Sequence, residues 1–234
     1  MPRQPYLQVV GQPRGAKIDV GTQSIGQRPE LEALVSNCLM AWPHVEAEMA
    51  VLFTQLLGAD NAAALAVFQA LRRSSAQRDA ISEAAKVSLN DTDQELLSAV
   101  LNAHKSVETE RNALCHGHFG TSTKVPDGLI WMTTNDYLAI RVSMTLAHSP
   151  SWDDAKHAKI LERIWVYRAD DLRKIYAQIK TISQTWFDLV RYFRYPKDDQ
   201  RLREQRYRQL CDQSHIAREL EQLRQKRTPS TPSQ

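Results

Sequence analysis

The sequence has few of the residues that build disulfide-stabilised or membrane-spanning proteins. Its 234 residues include only 3 cysteines, Cys38, Cys115 and Cys211. Such an odd and sparse set disfavours a disulfide framework and is typical of a reducing compartment, so we expect a cytoplasmic protein. No run of about 18 apolar residues occurs, which predicts that no segment spans a membrane. The first residues also lack a continuous apolar stretch, so we expect no signal peptide.

An excess of charge of one sign is also nearly absent. The formal net charge is only +3. Residues 197–234 carry nine basic and six acidic side chains, whereas residues 1–196 carry 21 of each. The whole excess therefore lies in the C-terminal segment, and the rest of the chain has no basic bias toward nucleic acid.

Apolar residues recur at helical spacing in two long seams. Each seam alternates steps of three and four residues, which is typical of a helix and not of a strand. The first seam consists of Leu31, Val35, Cys38, Trp42, Val45, Met49, Leu52 and Leu56. The second seam consists of Leu172, Ile175, Ile179, Ile182, Trp186, Leu189 and Phe193. Pro43 lies inside the first helix, and we expect it to kink or split that helix.

A third long helix is predicted in the middle of the chain. The segment Thr92-Asp-Gln-Glu95 has the pattern of a capping box. It indicates a helix from about Asp93 to His116, with Gly117 at its end. Shorter helices are predicted over residues 61–71 and 76–89.

A small region rich in β-branched and aromatic residues follows this helix. Leu129–Thr133 and Tyr137–Val142, separated by Asn135-Asp136, predict a β-hairpin, and Arg163–Tyr167 predicts a further short strand. The predicted fold is therefore mainly α: a four- to five-helix bundle with a small β-hairpin insertion and a C-terminal charged helix. The predicted domains are a flexible arm (1–28), a bundle (29–196, with its β insertion near 129–167) and a charged helical or disordered tail (197–234).

The segment richest in reactive side chains lies where the third long helix ends. Arg111 and His116 are five positions apart. On an ideal helix this separation turns their side chains about 140° apart. They converge only if the helix loosens near His116 or if a second subunit contributes. A polar stripe of His104, Glu108, Arg111 and Cys115 continues the apolar face of the same helix.

These side chains suit RNA cleavage without a metal. The reaction needs a base for the 2′-hydroxyl, an acid for the departing 5′-oxygen and a cation for the phosphorane. Histidine serves as acid or base near neutral pH, and the C-terminal end of a helix favours its cationic form. Arginine binds phosphate through two parallel hydrogen bonds. Asn112 can donate to the phosphate or orient its neighbour.

The pattern Arg111-Asn112-x-Leu114-x-His116-Gly117 resembles the Arg-x4–6-His signature of HEPN domains. The order of predicted helices over roughly residues 30–195 is also similar to that family. The resemblance implies a helical bundle that dimerises with the two motifs face to face. Many HEPN proteins are metal-independent endoribonucleases of toxin–antitoxin, anti-phage or RNA-processing systems.

The resemblance also implies roles for particular residues and partners. Arg111 would bind phosphate, and His116 would act as general acid and base across a dimer interface. Asn112 would be their polar companion. From the residues around the motif, and not from the resemblance, Glu108, His118 and His104 are further candidates for supporting or phosphate-binding roles. No metal and no cofactor are expected, and the expected partners are a second copy of the chain, an RNA substrate and an antitoxin or regulatory protein.

One HEPN subclass carries a tyrosine two residues after the histidine, which an antitoxin can modify. This sequence has His118 at that position. The departure puts any such modification in doubt.

Two other functions fit the same residues. The chain can be a non-catalytic HEPN-like bundle that binds a nucleotide, RNA or a protein partner, since a fold does not fix a function. It can also be a structural interaction protein. In that case Arg111 pairs with Glu108 or Glu110 on the helix surface, His116 caps the helix end, and His104 lies at the edge of the core.

A metal site around Cys115, His116 and His118 is a further alternative. Zinc sites usually have a second pair of ligands at suitable spacing, and no such pair is evident in the sequence. We therefore expect no metal there. Cys115 is expected to be a small packed residue and not a nucleophile.

Overall fold

Helices form most of the chain, and one small antiparallel sheet accompanies them, which confirms the predicted fold class. This computed structural model describes residues 3–11, 16–21, 23–58, 61–146, 159, 161–194 and 199–227. The helices are α1 (Tyr6–Val10), α2 (Pro29–Leu57), α3 (Asn61–Ala70), α4 (Ser74–Ser88), α5 (Asp91–His116), α6 (Thr134–Leu146), α7 (Ala169–Arg194), α8 (Gln200–Cys211) and α9 (Ser214–Arg227). The strands are β1 (Gln4–Pro5), β2 (Ile18–Val20), β3 (His118–Ser122), β4 (Val125–Met132) and β5 (Trp165–Arg168). Their order in the sheet is β1-β5-β4-β3-β2.

Both predicted apolar seams lie in helices and point into the core. All eight residues of the first seam are buried in α2, and Pro43 does not split that helix. In α7 the seam is buried from Leu172 to Leu189. At its end Tyr192 is buried, while the predicted Phe193 is only half-buried. The spacing of apolar residues therefore predicted the core faces of both helices.

The capping box at the start of α5 lies two residues earlier than predicted. The helix begins at Asp91, and the Asn90 side chain accepts a hydrogen bond from the Asp93 backbone N–H at 3.0 Å. The Asn90 amide also donates to the Asp93 carboxylate at 2.9 Å. The predicted pair, Thr92 and Glu95, is not the one that caps the helix.

The chain divides into two compact units. The first consists of Met1–Ala41 and Thr109–Gln178, and the second of Trp42–Glu108 and Ile179–Gln234. Helices α2, α5 and α7 contribute residues to both units.

The first unit contains the sheet. The core on one side of the sheet consists of Tyr6, Val125, Ile130, Met132, Leu161, Ile164 and Val166. The Tyr6 hydroxyl also makes a buried hydrogen bond with the Ser122 hydroxyl at 2.8 Å. This core holds the short N-terminal elements against β4 and β5.

The described parts of the N-terminal arm differ from the expectation of a flexible segment. Strands β1 and β2 form the two edges of the sheet, and Leu7–Val10 is helical instead of extended. Tyr6 is fully buried. Residues 12–15, which also belong to the predicted arm, lie outside the described residues.

The predicted hairpin of Leu129–Thr133 and Tyr137–Val142 was wrong, although Leu129–Met132 does belong to a strand. The observed hairpin is β3 and β4, and Tyr137–Val142 belongs to helix α6. The cause is a capping box: the Thr133 hydroxyl accepts from the Asp136 backbone N–H at 3.1 Å and donates to the Asp136 carboxylate at 2.6 Å. The predicted strand near Arg163–Tyr167 is confirmed as β5.

In the second unit, residues 200–211 and 214–227 of the C-terminal segment are helical and packed, and residues 228–234 lie outside the described residues. Leu210, Ile216 and Leu220 are buried. The Asp93 carboxylate accepts hydrogen bonds from Tyr192 and Arg203, and it forms an ion pair with Arg203. These bonds attach α8 to α5 and α7. The domain boundary predicted after residue 196 lies outside the described residues and, like the boundary after residue 28, remains a prediction.

Candidate functional site

The motif helix α5 remains regular up to its last residue. The Gly117 N–H donates to the Ala113 carbonyl at 3.1 Å, which continues the hydrogen-bond pattern of an α-helix. The helix therefore does not loosen near His116. Because the helix stays regular, Arg111 and His116 project about 140° apart on one chain.

The residue after the helix, Gly117, has to be glycine because of a close neighbour and not because of a positive φ angle. A Cβ atom at this position would lie 1.7 Å from the Trp131 Nε1 atom. That indole donates a hydrogen bond to the Ala113 carbonyl at 2.9 Å. Strand β4 is thereby fixed against the last turn of the motif helix.

His116 is exposed at the end of α5. Its backbone carbonyl accepts a hydrogen bond from the Thr134 hydroxyl at 2.9 Å. Thr134 is the first residue of α6, so the end of the motif helix is held next to the start of α6. The backbone is fixed while the imidazole remains accessible.

Arg111 is half-buried and is linked to its neighbour in the motif. Its Nη1 atom donates to the Asn112 side-chain oxygen at 2.9 Å. Asn112 lies four positions before His116, so these two side chains project from nearly the same face of the helix, about 40° apart. Asn112 therefore connects the guanidinium to the face that carries the histidine.

His118 is the first residue of β3, and its ring stacks on that of Tyr137. The ring centroids are 4.0 Å apart and the planes differ by 14°. Both side chains are half-buried. His118 is thus close in sequence to His116, but its ring contacts the first turn of α6.

The first unit also contains a cluster of aromatic rings around Arg3, and its member Trp131 contacts the last turn of the motif helix. The Arg3 guanidinium lies 4.0 Å from the centroid of the Trp131 ring, and it donates to the Tyr167 hydroxyl at 3.3 Å. Burial raises the pKa of Tyr167 to about 12, while the positive charge of Arg3 opposes this shift. The negative charge of Glu110, a residue of the motif helix, also raises the pKa of Tyr167.

Glu108 belongs to the second unit and has a structural partner there. Its carboxylate is buried and forms an ion pair with Arg78. Arg78 also donates to the Ser74 hydroxyl at 3.1 Å. This pair attaches α4 to α5, and the prediction that Glu108 supports phosphate binding is untested.

His104 lies in the core of the second unit. It is fully buried, and its ring centroid is 5.1 Å from that of Trp42 and 5.8 Å from that of Trp186. Its Nδ1 atom accepts a hydrogen bond from the Trp186 indole at 3.2 Å. A fully buried imidazole cannot contact RNA directly, which corrects a phosphate-binding role for His104, while a supporting role stays a prediction.

The thiol of Cys115 is exposed, and the expectation that it is packed was therefore wrong. The described residues contain no group of three His, Cys, Asp or Glu side chains that could hold a metal ion.

Sequence reasoning missed Trp131 and Thr134, which donate hydrogen bonds to carbonyls of the motif helix, and Tyr137, which stacks on His118. A signal for Tyr137 was present, because Thr133 and Asp136 have capping-box spacing and would have placed it in the first turn of a helix. The position of Trp131 against Ala113 had no local signal.

Comparison with known proteins finds no family model, curated protein or solved structure that matches this chain. None of the helices in the described residues has the length and apolarity needed to cross a bilayer.

Proposed function

We propose that this protein is a metal-independent endoribonuclease of the HEPN type, which works as a homodimer. Arg111 binds the scissile phosphate, and His116 acts as general acid and base across the dimer interface. The biological role that accompanies this activity is that of a toxin or anti-phage effector, with an antitoxin or regulatory protein as partner.

The proposed reaction is an internal transfer at phosphorus. One His116 accepts the proton of the 2′-hydroxyl, whose oxygen attacks the phosphorus. The second His116 donates a proton to the 5′-oxygen as its bond to phosphorus breaks. Arg111 stabilises the negative charge of the phosphorane. The products are a 2′,3′-cyclic phosphate and a free 5′-hydroxyl.

The regular geometry of α5 is the observation that carries the proposal. An exposed His116 ends the helix, and Arg111 projects from another face. A single copy therefore presents one acid–base group without the phosphate-binding group beside it. Two copies with their helix ends together supply two histidines and two arginines to one cleft, which is what the chemistry needs.

Asn112 gives the proposal further support. Its amide oxygen accepts from Arg111 at 2.9 Å, which limits the rotation of the guanidinium. A guanidinium held in one orientation is suited to bind a phosphate in a cleft that two copies share. Asn112 therefore acts as a positioning residue.

The test is incubation of single-stranded RNA with the protein in EDTA. We expect cleavage to 2′,3′-cyclic phosphate ends by the wild type and loss of cleavage in Arg111→Ala and His116→Ala. Arg194→Ala and His44→Ala, which alter exposed residues outside the motif, are matched controls and should cleave as the wild type does. Binding without cleavage would favour the non-catalytic alternative, and cleavage by both motif variants would remove the proposed site.

A further inference from the structure

Three segments of the first unit meet at the exposed end of the motif helix. The Thr134 hydroxyl holds the His116 carbonyl at 2.9 Å, and the Trp131 indole holds the Ala113 carbonyl at 2.9 Å. Strand β3 starts immediately after the helix, at His118. The first turn of α6 therefore lies beside the start of β3, and this brings the Tyr137 ring onto the His118 ring.

The rings of His118 and Tyr137 are held in a stacked arrangement, but their polar atoms make no side-chain hydrogen bonds to other described residues. Their planes are nearly parallel, at 14°, and their centroids are 4.0 Å apart. Within the described part of the chain, no side-chain hydrogen bond joins the imidazole nitrogens of His118 or the hydroxyl of Tyr137 to another residue. Half-buried rings with unpaired polar edges are suited to a ligand that is both planar and polar.

We propose that His118 and Tyr137 form a stacking platform for a nucleobase of single-stranded RNA. This inference rests on the proposed function, because the platform would hold the nucleotide next to the phosphate that is cleaved at His116. Only Gly117 separates His118 from His116. Nucleobases stack on aromatic side chains in single-stranded nucleic-acid sites, and each such stack contributes roughly 1–3 kcal/mol with little dependence on sequence.

The platform defines the class of substrate. A base stacked on a protein ring must first leave the stack of its own strand, and paired bases do not do this without cost. The substrate is therefore expected to be a loop, a bulge or an unpaired end. The small net charge of the chain agrees with this mode of binding, because stacking on aromatic rings does not need an excess of positive charge, whereas binding through phosphates does.

The first experiment measures binding without cleavage. The probe is a single-stranded RNA oligonucleotide with 2′-O-methyl groups throughout and one 2-aminopurine, whose fluorescence is quenched by stacking. We expect quenching by the wild type. His118→Leu and Tyr137→Leu should each weaken binding roughly 10-fold and remove the quenching.

Two conservative variants serve as matched controls. His118→Phe and Tyr137→Phe keep an aromatic ring and should keep most of the affinity and the quenching. Tyr137 also packs against the core of the first unit, so each variant is checked by thermal unfolding. If Tyr137→Leu does not fold, the comparison of His118→Leu with His118→Phe decides the question.

The outcomes separate this inference from the nuclease proposal. Leucine variants that bind and quench as the wild type does, or a wild type that does not quench the probe, would overturn the platform, even if RNA cleavage depends on Arg111 and His116. Conversely, if quenching depends on the two rings but the protein cleaves no RNA, the platform is supported and the nuclease proposal is overturned.

Discussion

The indole of Trp131 occupies the space beside Gly117 that any larger side chain would need. This close approach lies between the motif helix and β4. It ties the geometry of the candidate site to the packing of the sheet.

Replacement of this glycine should therefore destabilise the protein. We expect Gly117→Ala to lower the free energy of unfolding by roughly 1–3 kcal/mol, because the buried indole must move and its hydrogen bond to Ala113 must stretch. Urea unfolding measures the change. Gly21→Ala is the control, since the nearest atom to its new Cβ is the Ser24 hydroxyl at 4.0 Å. Equal stability of the two variants would show that Trp131 adapts freely.

The buried carboxylate of Asp93 should stabilise the attachment of α8. It is 2% exposed, and it receives bonds from Tyr192 and Arg203. Asp93→Asn leaves Arg203 without its counter-ion, and we expect a loss of roughly 3 kcal/mol in urea unfolding. Glu83→Gln, which breaks an exposed ion pair with Lys86, should change stability very little. A similar small effect of both variants would contradict the role of Asp93.

Tyr167 should make the protein sensitive to alkali. Its pKa rises from 10.0 to about 12 on folding, so the neutral phenol stabilises the fold fully below pH 10, and this contribution is lost as the pH rises toward 12. We expect the wild type to lose more stability than Tyr167→Phe over that interval. Chemical unfolding at a series of pH values measures the difference. Parallel curves for the two proteins would show that Tyr167 does not contribute.

Mixed dimers test whether two histidines share one cleft. Wild type and His116→Ala are co-refolded in varying proportions, and RNA cleavage is measured. If each cleavage event needs both histidines, activity falls faster than the fraction of wild-type subunits. Mixtures with His44→Ala should keep full activity. A linear decline with His116→Ala would mean that each subunit acts alone.

A separate experiment tests whether the excess positive charge of the C-terminal segment contributes to RNA binding. Truncation after Lys197 is unsuitable, because α8 and α9 bury Leu210, Ile216 and Leu220. Gln substitutions at the exposed residues Arg201, Arg208 and Lys226 remove charge without removing the helices. If these side chains neutralise RNA phosphates, the slope of log affinity against log salt should become shallower by about 0.7 for each phosphate that is no longer neutralised. An unchanged slope would show that these side chains do not neutralise RNA phosphates and would favour a role in oligomerisation or partner binding.

Long helices could be predicted from the sequence because their signal is local. The eight apolar residues of α2 recur every three or four positions, and all of them are buried. Strand β1 gave no such signal. Its two residues, Gln4 and Pro5, pair with Val166 and Trp165, which lie far away along the chain. A two-residue strand has no period of its own, so only tertiary pairing makes it a strand.

The candidate site was predictable only in part for the same reason. The placement of Arg111 and His116 on one helix, with side chains about 140° apart, follows from the sequence. The burial of His104 does not follow, because it depends on Trp42 and Trp186 in other helices. The stack of His118 on Tyr137 was not predicted, because Tyr137 was expected in a strand. Asn135-Asp136 suits a hairpin turn, but it also suits the start of a helix that has a capping box.

The exposed Cys115 gives the motif helix a natural position for chemical labelling. Burial raises the pKa of Cys38 to about 12 and also raises that of Cys211, so both of these thiols resist modification at neutral pH. A thiol reagent should therefore attach at Cys115, immediately before His116. In a pair of molecules whose motif helices meet, short bifunctional reagents of graded length would measure the distance between the two helix ends in solution, without any added cysteine.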